Sequence, residues 1–273
     1  MTRIDFTKMV ASGNDFVVID NRRKKVTGLP GLAKKICDRN FGAGADGLLV
    51  IEPSKKADFR MRVINSDGSE AEMCGNGARC VALYAKKNGL AGKKMRFETL
   101  AGVIEAEVSG DKIRLKMSDP KDIKLDMDLT IDGRDYSINF VNTGVPHAVV
   151  FTEKVDGLDV KNLGRKIRYH SAFAHRGTNA DFVEPQDGKL LKVRTYERGV
   201  EGETLACGTG VTASAIIAAA VKDFKSPVRC LTKSGEILKI YFRKAGDSFK
   251  DVYLEGGAKT VFCGRYPTGK SEK

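Results

Sequence analysis

Apolar and polar positions alternate in short runs along most of this chain, and two stretches break that rhythm with a helical period. Residues 3–10 and 14–20 read as strands around a tight turn at Ala11-Ser12-Gly13, the second carrying the β-branched run Phe16-Val17-Val18-Ile19. Pro30 opens a helix with Leu32, Ala33, Ile36 and Cys37 on one face. Gly42, Gly44 and Gly47 mark a loop before the strand Leu48-Leu49-Val50-Ile51, and Phe59, Met61 and Val63 alternate with charged residues along 58–65. A turn at Asn65-Ser66-Asp67-Gly68 follows. The spacing then predicts a helix from Ala78 to Ala85, ended by Lys86-Lys87 and Gly89. Strands are expected at 94–99, 102–108 and 112–117. Ser118-Asp119-Pro120-Lys121-Asp122 is polar and holds a proline, so a domain crossing is placed there. Beyond it, strands are predicted near 135–142, 147–151, 180–184 and 189–196, then a helix from Thr212 to Val221, then strands near 228–232, 236–242 and 251–254. The tail 269–273 is expected to be loose.

The helix Thr212–Val221 is apolar nearly all round, and such a helix is buried on all sides. In a half made mostly of strands it must be the centre of a strongly curved sheet.

The chain also repeats itself. Glu70-Ala71-Glu72-Met73-Cys74-Gly75-Asn76-Gly77 returns 133 positions later as Glu203-Thr204-Leu205-Ala206-Cys207-Gly208-Thr209-Gly210, and the register holds without a gap from Glu70–Ile104 to Glu203–Ile237. Glu70/Glu203, Cys74/Cys207, Gly75/Gly208, Gly77/Gly210, Ala82/Ala215, Ala85/Ala218, Arg96/Arg229, Thr99/Thr232, Gly102/Gly235 and Ile104/Ile237 are identical. The fold class expected is α+β: two duplicated, pseudo-symmetric domains, each a barrel-like sheet around a central helix. The halves are 1–118, with 262–273 returning to it, and 119–261.

Composition narrows the class little. The chain has 273 residues, 41% of them hydrophobic, with neither an apolar run of bilayer length nor an apolar signal core behind Met1-Thr2-Arg3. A cytoplasmic protein is expected. The net charge of +12 raises nucleic acid as a partner, but the basic residues are scattered and no stacking aromatics lie among them, so the charge reads as a solvated surface. Neither nucleic acid nor membrane is expected. Six cysteines without Cys-x-x-Cys spacing, and three histidines, give no metal site. Cys37, Cys80, Cys230 and Cys263 read as free, buried, small hydrophobes.

Cys74 and Cys207 are different. Each precedes a helix whose first N–H groups have no internal partner and whose macrodipole is positive at that end. A thiol there is expected to have a lowered pKa, and a carboxylate can lie on Gly75-Asn76-Gly77 or Gly208-Thr209-Gly210. One such thiol would also suit acyl transfer, with His147 or His175 as base. Two copies in matching halves fit inversion of a stereocentre, where one group removes a proton and a second delivers one on the opposite face. Asn14 opens a buried strand, either as a turn residue or with its amide in a cleft.

The chain closely resembles the diaminopimelate epimerases, cofactor-independent isomerases that interconvert LL- and meso-diaminopimelate. Besides the two cysteine motifs, the likeness rests on Gly13-Asn14-Asp15-Phe16, Phe41-Gly42 with Asp46-Gly47, Asn65 before Asp67-Gly68, Pro146-His147, Thr178-Asn179 and Tyr196-Glu197-Arg198-Gly199. The resemblance implies Cys74 and Cys207 as the acid/base pair. It implies Gly75-Asn76 and Gly208-Thr209 around the reacting carboxylate, and Asn14, Asn65, Asn179, Glu197 and Arg198 around the distal amino-acid end. His147 and Glu197 would tune the thiols. The substrate would be a small diamino-dicarboxylate, no cofactor would be needed, and a homodimer is the expected assembly. Gly47 stands where many members have glutamine, and Val145 where many have asparagine, so two contacts to the distal end are missing or replaced. Rival readings are a proline or hydroxyproline racemase, a phenazine-biosynthesis-type isomerase, and an inactive basic binding protein.

Overall fold

The computed structural model describes residues 2–186 and 188–268. The chain is an α+β protein dominated by strands, and it divides into two compact units. One runs from Met1 to Leu115 and takes in the chain from Gly257 onward; the other is Lys116–Gly256. The tail 269–273 lies outside the described residues.

In the first unit the order is β1 (Thr2–Ala11), β2 (Asn14–Asp20), α1 (Leu29–Ile36), β3 (Gly47–Glu52), β4 (Phe59–Asn65), β5 (Glu70–Ala71), α2 (Gly75–Lys87), β6 (Lys94–Thr99), β7 (Gly102–Ser109) and β8 (Lys112–Lys116). In the second it is β9 (Lys121–Ile131), β10 (Arg134–Asn142), β11 (Pro146–Phe151), α3 (Val160–Arg168), β12 (Asn179–Pro185), β13 (Leu190–Glu197), β14 (Gly202–Thr204), α4 (Gly208–Val221), β15 (Val228–Thr232), β16 (Ile237–Ala245) and β17 (Ser248–Gly257). The chain ends in β18 (Lys259–Thr268), which pairs antiparallel with β1.

The two orders match pairing for pairing. β1 and β10 each form an antiparallel hairpin with the next strand, and a helical crossover then leads to a parallel neighbour, β2–β3 in one unit and β11–β12 in the other. A third, antiparallel strand follows, β4 or β13. That strand pairs with the short β5 or β14 and, beyond the cysteine helix, in parallel with β6 or β15. Even the outer partner is matched: β9 lies beside β10 as β18 lies beside β1, so the chain's last strand supplies the first unit with what the second has at its start.

Each sheet curls about its cysteine helix. α4 packs against β10, β11, β12, β13, β15 and β16, and every residue from Gly210 to Ala219 is buried. Two hydroxyls inside it are satisfied by carbonyls one turn back, Thr212 Oγ1 on Gly208 and Ser214 Oγ on Gly210, so the polar side chains bring no orphaned donors into the core. α2 packs against β1, β2, β3, β4 and β7 and buries Ala78 through Leu83. The turn before β2 has φ of 51° at Ser12 and 79° at Gly13, the two positive values a tight two-residue hairpin needs.

Besides the short β5 and β14, three longer elements escape the sequence pattern as read above. β9 alternates Ile123, Leu125, Met127, Leu129 and Ile131, a period-two signal obscured by Pro120 just before it. α3 is short and basic in its last turn, but Asp159 marks its start by accepting from the N–H of Asn162 at 3.0 Å. β18 carries Cys263, which is exposed and not buried as expected. On that strand Val261 and Phe262 are also largely exposed, and Cys263 Sγ lies 3.5 Å from Thr7 Oγ1. The other three background thiols are buried, and burial pushes Cys37 up to about 11. Among the described residues no helix is long and apolar enough to cross a membrane.

Candidate active site

Both motif cysteines occupy the N-cap of their helices, with extended backbone: Cys74 has φ −141° and ψ 117°, Cys207 φ −114° and ψ 115°. The following glycines are therefore the first helical residues. Their N–H groups belong to the turn that has no internal acceptors, which is an anion site by construction.

A matched ion pair anchors the short strand that leads into each loop. Arg62 forks onto Glu70, Nε to Oε1 at 2.8 Å and Nη2 to Oε2 at 2.7 Å. Arg194 forks onto Glu203 through the same atoms, at 2.6 and 2.9 Å, and Lys233 adds a third contact at 2.6 Å. These are the glutamates that repeat in the sequence. Burial pulls Glu203 up, but Arg194 and Lys233 hold it below the usual carboxylate range.

Around Cys74 the neighbours are amides. The sulfur accepts from the N–H of Gly77 at 3.4 Å and lies 3.7 Å from Asn14 Oδ1. Asn14 Oδ1 also receives Asn76 Nδ2 at 3.4 Å, while Asn14 Nδ2 donates to Asp46 at 2.6 Å. Asn76 in turn accepts from Arg79 Nη2 at 2.5 Å, and that guanidinium, 1% exposed, also donates to Ser12 at 2.7 Å. Asn14 is thus aimed at the cysteine loop and is more than a turn residue. Asp46, Arg79 and Ser12 are supports to which the sequence reading gave no role. Asn65 is not drawn into this set; its amide donates to Ser69 in the turn that follows β4.

Around Cys207 the neighbours are acids. The thiol is 8% exposed and lies 3.4 Å from Thr209 Oγ1. Burial, then the carboxylates of Glu197 and Asp181, push its pKa well up from the ordinary thiol value. The expectation of a lowered pKa is corrected here: desolvation and two nearby negative charges outweigh the pull of the helix terminus. Glu197 is raised too, first by burial, against the opposing hydroxyl of Thr204, which donates to its Oε1, and against His147. Glu197 therefore belongs beside the thiol. Asn179 is a brace, with Nδ2 on the Pro146 carbonyl at 3.0 Å and Oδ1 receiving the Arg198 N–H at 2.8 Å. The Arg198 guanidinium reaches the Arg176 carbonyl at 3.4 Å. His147 is fully buried, with Nδ1 2.7 Å from Asp181 Oδ2.

At the first divergent position the backbone bears on what fits. A Cβ on Gly47 would stand 3.0 Å from the Ile64 carbonyl, so a side chain there needs a small local shift. Val145 lies in the turn before β11, its carbonyl accepting from Thr143.

The family model for diaminopimelate epimerase matches residues 6–123 and 139–261. The chain belongs to the diaminopimelate epimerase family. It is 47% identical to the diaminopimelate epimerase of Aquifex aeolicus (strain VF5), over 96% of this chain and 97% of that one. With the Archaeoglobus fulgidus diaminopimelate epimerase the identity is 46%, over 96% of each. Among solved structures, a Bacillus anthracis phenazine biosynthesis protein of the PhzF family superposes with a TM-score of 0.75, over 98% of this chain and 100% of that one, at 17% identity. That last likeness concerns the fold alone.

Proposed function

We propose that this chain is an amino-acid epimerase that interconverts LL- and meso-2,6-diaminopimelate by proton transfer between Cys74 and Cys207, without a cofactor. The observation that carries the reading is the repeated N-cap cysteine: two thiols in matched settings, each followed by a glycine turn able to take a carboxylate. Relatives at 46–47% identity that bear the name of this activity supply the substrate.

In this reading the carboxylate at the reacting carbon lies on the N–H groups of Gly75-Asn76 and Gly208-Thr209, where the helix dipoles favour negative charge. One sulfur removes the α-proton and the other returns a proton on the opposite face, so the pair works in both directions. Cys207, its pKa raised by burial and by Glu197 and Asp181, holds its proton more tightly than an ordinary thiol. Asn14, held by Asp46, orients the Cys74 side. Arg198, whose guanidinium rests on the Arg176 carbonyl, faces the distal carboxylate, and Asn179 braces it. Water has to be kept from the carbanion, which it would quench. We place the enzyme in the cytoplasm as a homodimer, acting in the supply of lysine and of peptidoglycan precursor.

The test is direct. Purified protein is incubated with LL-diaminopimelate and no added cofactor, and the isomers are separated. Appearance of the meso isomer up to an equilibrium mixture is expected. No isomerisation of this substrate, with turnover of proline or hydroxyproline instead, would move the chain to the racemase reading.

A further inference from the structure

Asp181 is a buried acid to which the proposed proton transfer gives no step of its own. It lies on β12 among Ala180, Phe182 and Val183, all core residues, and no part of it is exposed. An unpaired carboxylate in such a place costs several kcal/mol, so it needs partners. It has two: Oδ2 lies 2.7 Å from His147 Nδ1, and Oδ1 accepts from Thr195 Oγ1 at 2.7 Å. The carboxylate also abuts the first turn of α4, where a Cβ on Gly210 would come within 2.3 Å of Oδ1. In the first unit the corresponding glycine, Gly77, rests on an apolar side chain, Leu49 on β3. Packing under the cysteine helix is thus satisfied by a hydrocarbon in one half. The acid in the other half calls for a different reason.

His147 provides that reason. Among the described residues of the second unit, its Nε2 is the one buried side-chain nitrogen or oxygen without a hydrogen-bond partner. A buried orphan of this kind costs about 1–3 kcal/mol, a cost removed when a ligand brings the partner. An ionised carboxylate only accepts, so the imidazole must turn Nδ1–H toward Asp181, and Nε2 is the atom left over. We propose that Asp181, propped by Thr195, is a positioning residue that fixes the His147 ring and its proton on Nδ1, presenting Nε2 to a proton-bearing group of the bound amino acid. The titratable groups nearby are Glu197 on β13 and Cys207 at the head of α4, and both respond to the Asp181 charge. The role of Nε2 rests on the epimerase reading; the place of the proton does not.

The chain has three histidines, so nitrogen-15 NMR of histidine-labelled protein resolves them, with H170Q and H175Q used for assignment. His147 is expected to carry a proton on Nδ1, and a bare Nδ1 would overturn the proposal. D181N keeps the shape and removes the charge. It is expected to lower kcat roughly 10- to 100-fold, the size seen for carboxylates that orient a metal-bound imidazole, with KM changed less than about twofold. Turnover within about twofold of wild type would also overturn it. Should D181N fail to fold, the wild-type spectrum decides alone. A wild-type chain with no epimerase activity would sink the function reading, and the proton on Nδ1 would still decide this one.

Discussion

Cys74 stands half-buried among amides, and Cys207 stands buried among carboxylates, yet the backbone that holds them is the same. Each is an N-cap, each follows a short strand pinned by an Arg–Glu fork, and each leads a helix at the centre of a curled sheet. Duplication preserved what sets position: the capping geometry, the fork and the glycines. It let the surroundings diverge, Asn14 and Asn76 on one side, Glu197 and Asp181 on the other. Backbone geometry places a thiol, and the charges around it decide when the thiol holds its proton.

The largest effect should treat the two loops alike. C74A and C207A are each expected to lose about a thousandfold or more in epimerisation rate, since acid/base groups contribute about 10²–10⁴-fold and neither can serve both faces. A variant that keeps near-native turnover would break the equivalence. The next effect should separate them. E197Q removes a negative charge beside Cys207, and with it one cause of the raised pKa. The sign follows: Cys207 in E197Q should ionise at lower pH than in wild type. Iodoacetamide labelling of Cys207 against pH, read by mass spectrometry, should begin at lower pH in the variant, and Cys74 labelling should not move. An unchanged Cys207 profile would assign the shift to burial and Asp181.

Two smaller effects concern stability. G210A drives a methyl group into the Asp181 carboxylate and is expected to cost about 1–3 kcal/mol. G77A meets the end of a leucine at 3.0 Å, a side chain able to yield, and the better helix propensity of alanine offsets the crowding to near zero. Denaturant unfolding of both variants checks the contrast, and equal losses would contradict it. Smallest is the fork. E203Q should destabilise by about 1 kcal/mol. E70Q should cost less, because Glu70 is the more exposed, 27% against 12% for its counterpart.

Much of this comparison was legible in the sequence, and the reason is physical. The repeat showed itself because N-caps, tight glycine turns and buried helices each admit few residue types, so Cys74/Cys207, Gly77/Gly210 and the apolar run of α4 could drift little. Glu70 and Glu203 repeat for the same kind of reason, a bidentate partner eight or nine residues upstream. What stayed hidden was whatever depends on approach in space. Asp181 sits in an apolar strand and looks like an isolated acid until His147 and Thr195 come to it. Arg79 looks like a helix-surface residue until Ser12 and Asn76 are folded onto it. The raised pKa of Cys207 was missed for a related reason: helix position is written locally, but Glu197 and Asp181 arrive from β13 and β12. Helix α3 and strand β9 are hard to read because basic residues and a neighbouring proline mask short but regular patterns.

The measurement that bears most directly on the proposed pairing of two thiols is isotope partition at the first turnovers in deuterium oxide. LL-diaminopimelate is mixed with the wild-type chain and both isomers are analysed before a tenth of the substrate has reacted. Two one-proton bases on opposite faces give a meso product carrying deuterium at the inverted carbon and a remaining substrate still carrying hydrogen. Substrate hydrogen retained in the meso product would mean that a single base takes the proton and returns it, and would contradict the pairing of Cys74 with Cys207.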